Sequence, residues 1–216
     1  PKGARGVRAC RYPARTPQRC SLSVVIALLA PGQGSQTPGM LTPWLDDPGA
    51  EETVAAWSDA IGLDLRRLGT TADADEIKDT AVTQPLVVAT ALLAAARLGA
   101  HVTLPEESPI AGHSVGELAA AAIAGVLGTD AAVSLAAVRG REMAAACALE
   151  PTGMSATLGG NPDDVLARLS ELGLDPANRN GAGQIVAAGL LTALEELATN
   201  PPERARVKAL PVAGAF

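Results

Sequence analysis

A chain of 216 residues is long enough for one domain with a sizeable core and too short for two large ones. Apolar residues make up 48% of it but aromatic ones only 2%, so the core must be assembled from Ala, Val, Leu and Ile. The net charge of −6 is unevenly spread: residues 1–20 hold Lys2, Arg5, Arg8, Arg11, Arg15 and Arg19 and no acid, which leaves 11 basic against 23 acidic residues, and so acidic a body argues against nucleic-acid binding.

Residues 1–23 read as a disordered basic leader. Together with Val24–Ala30 the leader mimics a secretion signal, but no A-x-A cleavage site follows and the apolar run leads directly into a glycine-rich loop. Cys10, Cys20 and Cys147 have no zinc spacing, so neither a metal nor a disulfide framework is implied, and a reducing cytoplasm suits the chain. No apolar run is expected to reach the ~20 residues that a membrane span needs.

Residues 24–30 form a short continuous apolar run closed by Pro31 and Gly32, the pattern of a strand buried on both faces of a parallel sheet. The loop PGQGSQTPG, residues 31–39, then leaves the sheet. Helical periodicity follows at 51–61 and again from Pro85 to Leu98, where the segment is apolar enough for a central helix. His101 follows that helix and reads as a surface loop residue. SPIAGHS predicts a strand running into Ser114, with an Ala-rich helix over 115–124 and another over roughly 130–148, capped at Thr129-Asp130.

After Pro151 the rhythm changes. Residues 153–159 read as a strand, 162–173 as a helix, 175–180 as a short strand or loop, 184–189 as a strand, 190–198 as a helix and 206–212 as a strand. The order β-α-β-β-α-β is that of a ferredoxin-like unit. The fold class expected is therefore α/β, a hydrolase-like parallel-sheet body over 24–150 carrying an inserted subdomain over 151–212, with 213–216 returning toward the body.

The chemistry concentrates at Gly112-His113-Ser114-Val115-Gly116. In a G-x-S-x-G elbow the glycines relieve crowding where a strand turns abruptly into a helix, which exposes the serine oxygen in a strained conformation. The following helix aims its N–H groups at charge forming there, and the Val115 N–H supplies half of an oxyanion hole. His113 is the serine's chain neighbour and points to the opposite strand face, so a structural hydrogen bond is expected of it rather than general-base work.

GHSVGE, together with the upstream PGQGSQ and the downstream VRGREM, closely resembles the malonyl-CoA:acyl-carrier-protein transacylases and the related polyketide-synthase acyltransferase domains. The resemblance runs from about Val25 to the last residue. It implies Ser114 as the acyl-accepting nucleophile and the main-chain N–H groups of Gln33 and Val115 as the oxyanion hole. It further implies Arg139 as the clamp on the malonyl carboxylate, and His113, Met143, Gln84 and Asn180 as residues of the pocket. Phe216 resembles the bulky residue of malonyl-selective members.

The family's catalytic histidine follows a segment similar to LPVAGAF, so the expected base lies one residue beyond Phe216, and this chain by itself is expected to be inactive or impaired. Malonyl-CoA is the implied donor and the phosphopantetheine thiol of acyl carrier protein the implied acceptor in fatty-acid biosynthesis, with no bound cofactor and a monomeric protein. The alternatives are a polyketide-synthase acyltransferase domain or a non-catalytic acyl-binding fragment.

Two physical points stand beside the resemblance. A planar guanidinium can hold a carboxylate through two parallel hydrogen bonds, which a simple esterase would not require. Arg139 and Met143, four apart, share a helix face, whereas Arg141 is turned away and is expected to be a solvated charge paired with an acid.

Overall fold

The computed structural model describes residues 26–181, 183–210, 212, 214 and 215. The basic leader with Cys10 and Cys20, and Phe216, lie outside the described residues. The chain folds as a mixed α/β protein in which two sheets flank one cavity.

β1 (Leu28–Ala30) pairs in parallel with β2 (Ile110–Gly112), with Leu28 opposite Ile110 and Ala30 opposite Gly112. The crossover between them contains α1 (Ala50–Ile61), the short α2 (Leu65–Thr70) and α3 (Thr80–His101). β1 is shorter than the apolar run suggested and is not covered on both faces: Leu29 is 77% exposed. Among the described residues its only sheet neighbour is β2, while Leu28 is half-buried and Ala30 buried on the other face.

α3 starts five residues before the expected Pro85, because Asp79 caps it by accepting the Ala81 N–H at 2.8 Å. Pro85 therefore sits inside the second turn, where it lacks the N–H that would bond Ala81. At 22 residues α3 is long and apolar enough to cross a bilayer, longer than any run foreseen from the sequence. Its middle, Leu86, Val87, Val88 and Ala89, is instead fully buried in the core beside α4 (Gly116–Ile123) and α5 (Thr129–Cys147). His101 is the exposed last residue of α3 rather than a loop residue.

The α5 cap also differs from expectation. Gly128 holds the N-cap position, and Asp130, inside the first turn, accepts the Trp57 indole N–H at 2.8 Å. A buried Trp needs a partner for its one polar atom, and this bond ties α1 to α5.

The second part comprises β3 (Thr152–Gly159), α6 (Pro162–Glu171), β4 (Asp175–Arg179), β5 (Gln184–Leu190), α7 (Leu191–Thr199) and β6 (Ala205–Ala209). Its strands lie in the order β4-β5-β3-β6, every neighbouring pair antiparallel. Alternation along the strands sorts the side chains. Ile185 and Ala187 join Val165, Leu169, Leu194 and Leu197 of the two helices on one face. Met154, Val186 and Ala188 meet Ala177, Leu210 and Val212 on the other. β6 ends at Ala209, three residues earlier than expected, and the chain beyond it lies across that second face.

Candidate active site

The second face of the small sheet and the mouth of β2 enclose a cavity of about 410 Å³ lined by Gln33, His113, Ser114, Arg139, Met143, Asn178, Asn180 and apolar residues that include Met154, Val186 and Leu210. Larger hollows, of about 520 Å³ beside Glu51 and Arg66 and about 510 Å³ between α1 and α3, share none of these residues.

Ser114 occupies the turn between β2 and α4 with φ at +55°, one of two described non-glycine residues in the left-handed region. The turn is held by the His113 N–H donating to the Ala30 carbonyl at 3.1 Å and the Gly116 N–H donating to the His113 carbonyl at 3.0 Å. Both motif glycines are required by contact. A methyl group at Gly112 would run into the Gly116 carbonyl, and one at Gly116 into the carbonyl oxygens of Ala30 and Pro31. Only glycine lets the strand end, the loop and the first turn of α4 meet so closely, and the serine side chain is left exposed at the crossing.

Val115 is fully buried, and neither its N–H nor that of Gln33 bonds an acceptor among the described residues. The Val115 N–H stands at the N-terminus of α4, where the helix dipole favours negative charge, and Gln33 lines the same cavity as Ser114.

Arg139 reaches the serine directly, its Nη2 donating to Ser114 Oγ at 3.1 Å. Its other terminal nitrogen, Nη1, donates to Gln84 Oε1 at 2.7 Å. Since a guanidinium can only donate, the Gln84 oxygen must face it, and the Gln84 Nε2 then donates to Met143 Sδ at 3.1 Å. Gln84 is 0% exposed, so the expectation that it lines the pocket is corrected: it lies behind the wall and grips two residues that do.

The grip requires α3 and α5 to approach closely at that level. They do so at Gly140, where a Cβ would stand 2.7 Å from the Thr80 carbonyl oxygen.

The remaining residues divide. His113 is exposed and its ring lies against Gly32, but it makes no side-chain hydrogen bond among the described residues, contrary to the structural bond expected of it. Asn180 sits at the β4–β5 turn, its main-chain N–H donating to the Gln184 carbonyl at 3.0 Å and its Nδ2 to Gln184 Oε1 at 2.8 Å. Arg141 is exposed and pairs with no acid among the described residues. The apolar wall of Met154, Ala177, Val186, Leu210 and Val212 was not foreseen as part of the site. Alternation along β3 and β5 carried that signal.

The chemistry on offer is nucleophilic: an exposed strained hydroxyl, two unbonded main-chain donors, and a cation whose position is fixed from behind. The family model described as an acyl transferase domain matches residues 28–213. The malonyl CoA-acyl carrier protein transacylase of Mycobacterium tuberculosis is 66% identical over 193 residues, covering 89% of this chain and 64% of the relative. That of Mycolicibacterium smegmatis is 63% identical over 177 residues, covering 82% and 61%. The crystal structure of MCAT from Mycobacterium tuberculosis superimposes with a TM-score of 0.85 at 65% identity, covering 89% of this chain and 64% of that one. The chain thus spans a little under two thirds of the length of these relatives. With its serine elbow and the match across most of its length, the chain belongs to the acyl transferase domain family.

Proposed function

We propose that this chain carries the acyl-accepting half of an enzyme that moves a malonyl group from malonyl-CoA to the phosphopantetheine thiol of acyl carrier protein. Ser114 Oγ attacks the thioester carbonyl, the hydroxyl proton passes to a general base, and the carbonyl oxygen takes the negative charge. The Val115 and Gln33 N–H groups stabilise that oxyanion. Collapse breaks the C–S bond, CoA leaves as the thiol, and malonate is held as an ester on Ser114. The carrier's thiol then attacks the ester carbonyl and restores the serine hydroxyl.

The observation that carries the reading is the 3.1 Å approach of Arg139 Nη2 to Ser114 Oγ. It puts a cation where the far end of a short dicarboxylic acyl group would fall, one that an uncharged acyl group would not use. On binding, the carboxylate replaces the serine oxygen as the acceptor for Nη2 while Gln84 keeps its hold on Nη1. Met143 and the apolar wall then enclose the methylene carbon. We infer that Asn180 lies at the entrance, and that residues 151–212 act as a subdomain closing the cavity from one side.

Intact-mass analysis of the chain after incubation with malonyl-CoA, followed by peptide mapping, tests this. A malonyl adduct on Ser114 is expected to form slowly, because no described residue is hydrogen-bonded to the hydroxyl as its base, and to be absent in Ser114→Ala. In Arg139→Ala the preference for malonyl-CoA over acetyl-CoA should shrink by about 100-fold, from loss of a charge-assisted pair. Equal labelling by both donors in the unmodified chain would overturn the assignment of substrate.

A further inference from the structure

The first turns of α3 present two side chains one helical turn apart, each hydrogen-bonded to a different residue of the cavity lining. Gln84 fixes Arg139. Thr80, four residues earlier on the same helix face and 1% exposed, accepts at Oγ1 a hydrogen bond from Gln33 Nε2 at 3.1 Å.

Gln33 belongs to the loop after β1, whose other side-chain hydrogen bonds are internal: Ser35 Oγ donates to the Gly32 carbonyl at 2.8 Å, and the Gly34 N–H donates to Gln36 Oε1 at 2.7 Å. Among the described residues the Gln33 carboxamide is thus the one side chain of this loop hydrogen-bonded to α3. The same short segment of α3 meets α5 at Gly140, next to Arg139 in the chain, with the Thr80 carbonyl at the contact.

We propose that Thr80 is a positioning residue: by holding the Gln33 side chain, its hydroxyl fixes the direction of the Gln33 main-chain N–H beside Ser114, so that one rigid segment of α3 sets both the oxyanion donor and the carboxylate clamp. The inference rests on the seryl-ester reading for its catalytic meaning, but not for the bond itself. A transition-state donor held slightly off line slows acylation without weakening the hold on the malonyl carboxylate, because Arg139 takes its position from Gln84 instead.

The test compares Thr80→Val, which keeps the shape and loses the acceptor, with Thr80→Ser, which keeps the acceptor. Thr80→Val should slow Ser114 acylation at saturating malonyl-CoA about three- to tenfold, as expected for one neutral hydrogen bond, with the half-saturating concentration unchanged. Thr80→Ser should recover most of the rate, and Thr80→Val should add nothing in a Gln33→Ala background. In 15N NMR spectra the Gln33 carboxamide signals should shift, and the order parameter of its main-chain amide fall, in Thr80→Val and return in Thr80→Ser.

A wild-type rate in Thr80→Val, no rescue by Ser, or full additivity with Gln33→Ala would overturn the proposal. If the unmodified chain takes up no malonyl group, the seryl-ester reading fails on its own account. The amide signals then decide whether Thr80 orders the loop, and unchanged signals in Thr80→Val would overturn that as well.

Discussion

The two sides of the cavity are built on different principles. The side formed by α3, α5 and the serine turn is polar and directional: Gln84 bonds Arg139 and Met143, and Thr80 bonds Gln33, with Gln84 and Thr80 sealed from water. The opposite side, Met154, Val186, Leu210 and Val212 on the small sheet, is held by alternation and packing. Hydrogen bonds fix direction and fail steeply when one partner is lost, whereas an apolar wall fixes volume and fails gradually. Direction and volume are therefore set by separate parts of the molecule.

Substitutions should separate the two, with the largest effect at the turn that anchors the polar side. Gly116→Ala forces a methyl group onto two main-chain carbonyls and should cost about 3 kcal/mol or more, read as a fall in the denaturation midpoint. Gln84→Leu removes the acceptor from a charged donor, worth about 1.5–3 kcal/mol, so malonyl transfer to Ser114 should fall about 10- to 100-fold with Ser114 still present. On the apolar side Val186→Ala should cost only about 1–2 kcal/mol and change the rates with longer acyl groups by a few-fold, measured by competing CoA thioesters. If Val186→Ala matched Gln84→Leu in its effect on malonyl transfer, the division between direction and volume would be wrong.

The smallest effect is one of acidity, and among the described residues it belongs to the first region, the chain ahead of β3, alone. Hydrogen bonding from Arg66 holds the Glu51 carboxyl below its ordinary value of 4.5, Arg67 does the same for Glu76, and Lys78 lowers Asp75. A depressed carboxylate contributes stability that is present above the unfolded-state value and disappears as pH falls through the folded-state one. Thermal midpoints should therefore drop below about pH 4.5. The drop should shrink in Glu51→Gln and in high salt, since all three carboxylates are exposed.

Much of this was legible in the residues. The elbow could be read because glycine, serine and glycine at fixed spacing, between a strand and an Ala-rich helix, leave few other conformations. The longer helices of the body followed from periodicity, and the strands and helices after Pro151 could be read in order, but the short α2 and the alternation that builds the apolar wall were not foreseen. Gln84 was picked out but misplaced, since a glutamine in the second turn of an apolar helix gives no sign in sequence that its amide will be consumed by an arginine 55 residues away. That pairing depends on the close approach at Gly140, a property of two helices together. Asp130 was misread as part of a cap for a similar reason, its true partner being Trp57. The start of α3 was missed because Pro85 looked like a boundary, when Asp79 had already capped the helix.

The bond from Trp57 to Asp130 has a spectroscopic consequence. The chain holds only two tryptophans, and both, Trp44 and Trp57, lie in the first region, one beneath the Arg97 guanidinium and the other buried against α5. Indole emission therefore watches the helical body and is blind to the four-stranded sheet, whose melting registers only in the far-ultraviolet dichroism. Coincident transitions by the two signals would mean that both walls of the cavity come apart together, and a gap between them would measure how independently the sheet can open.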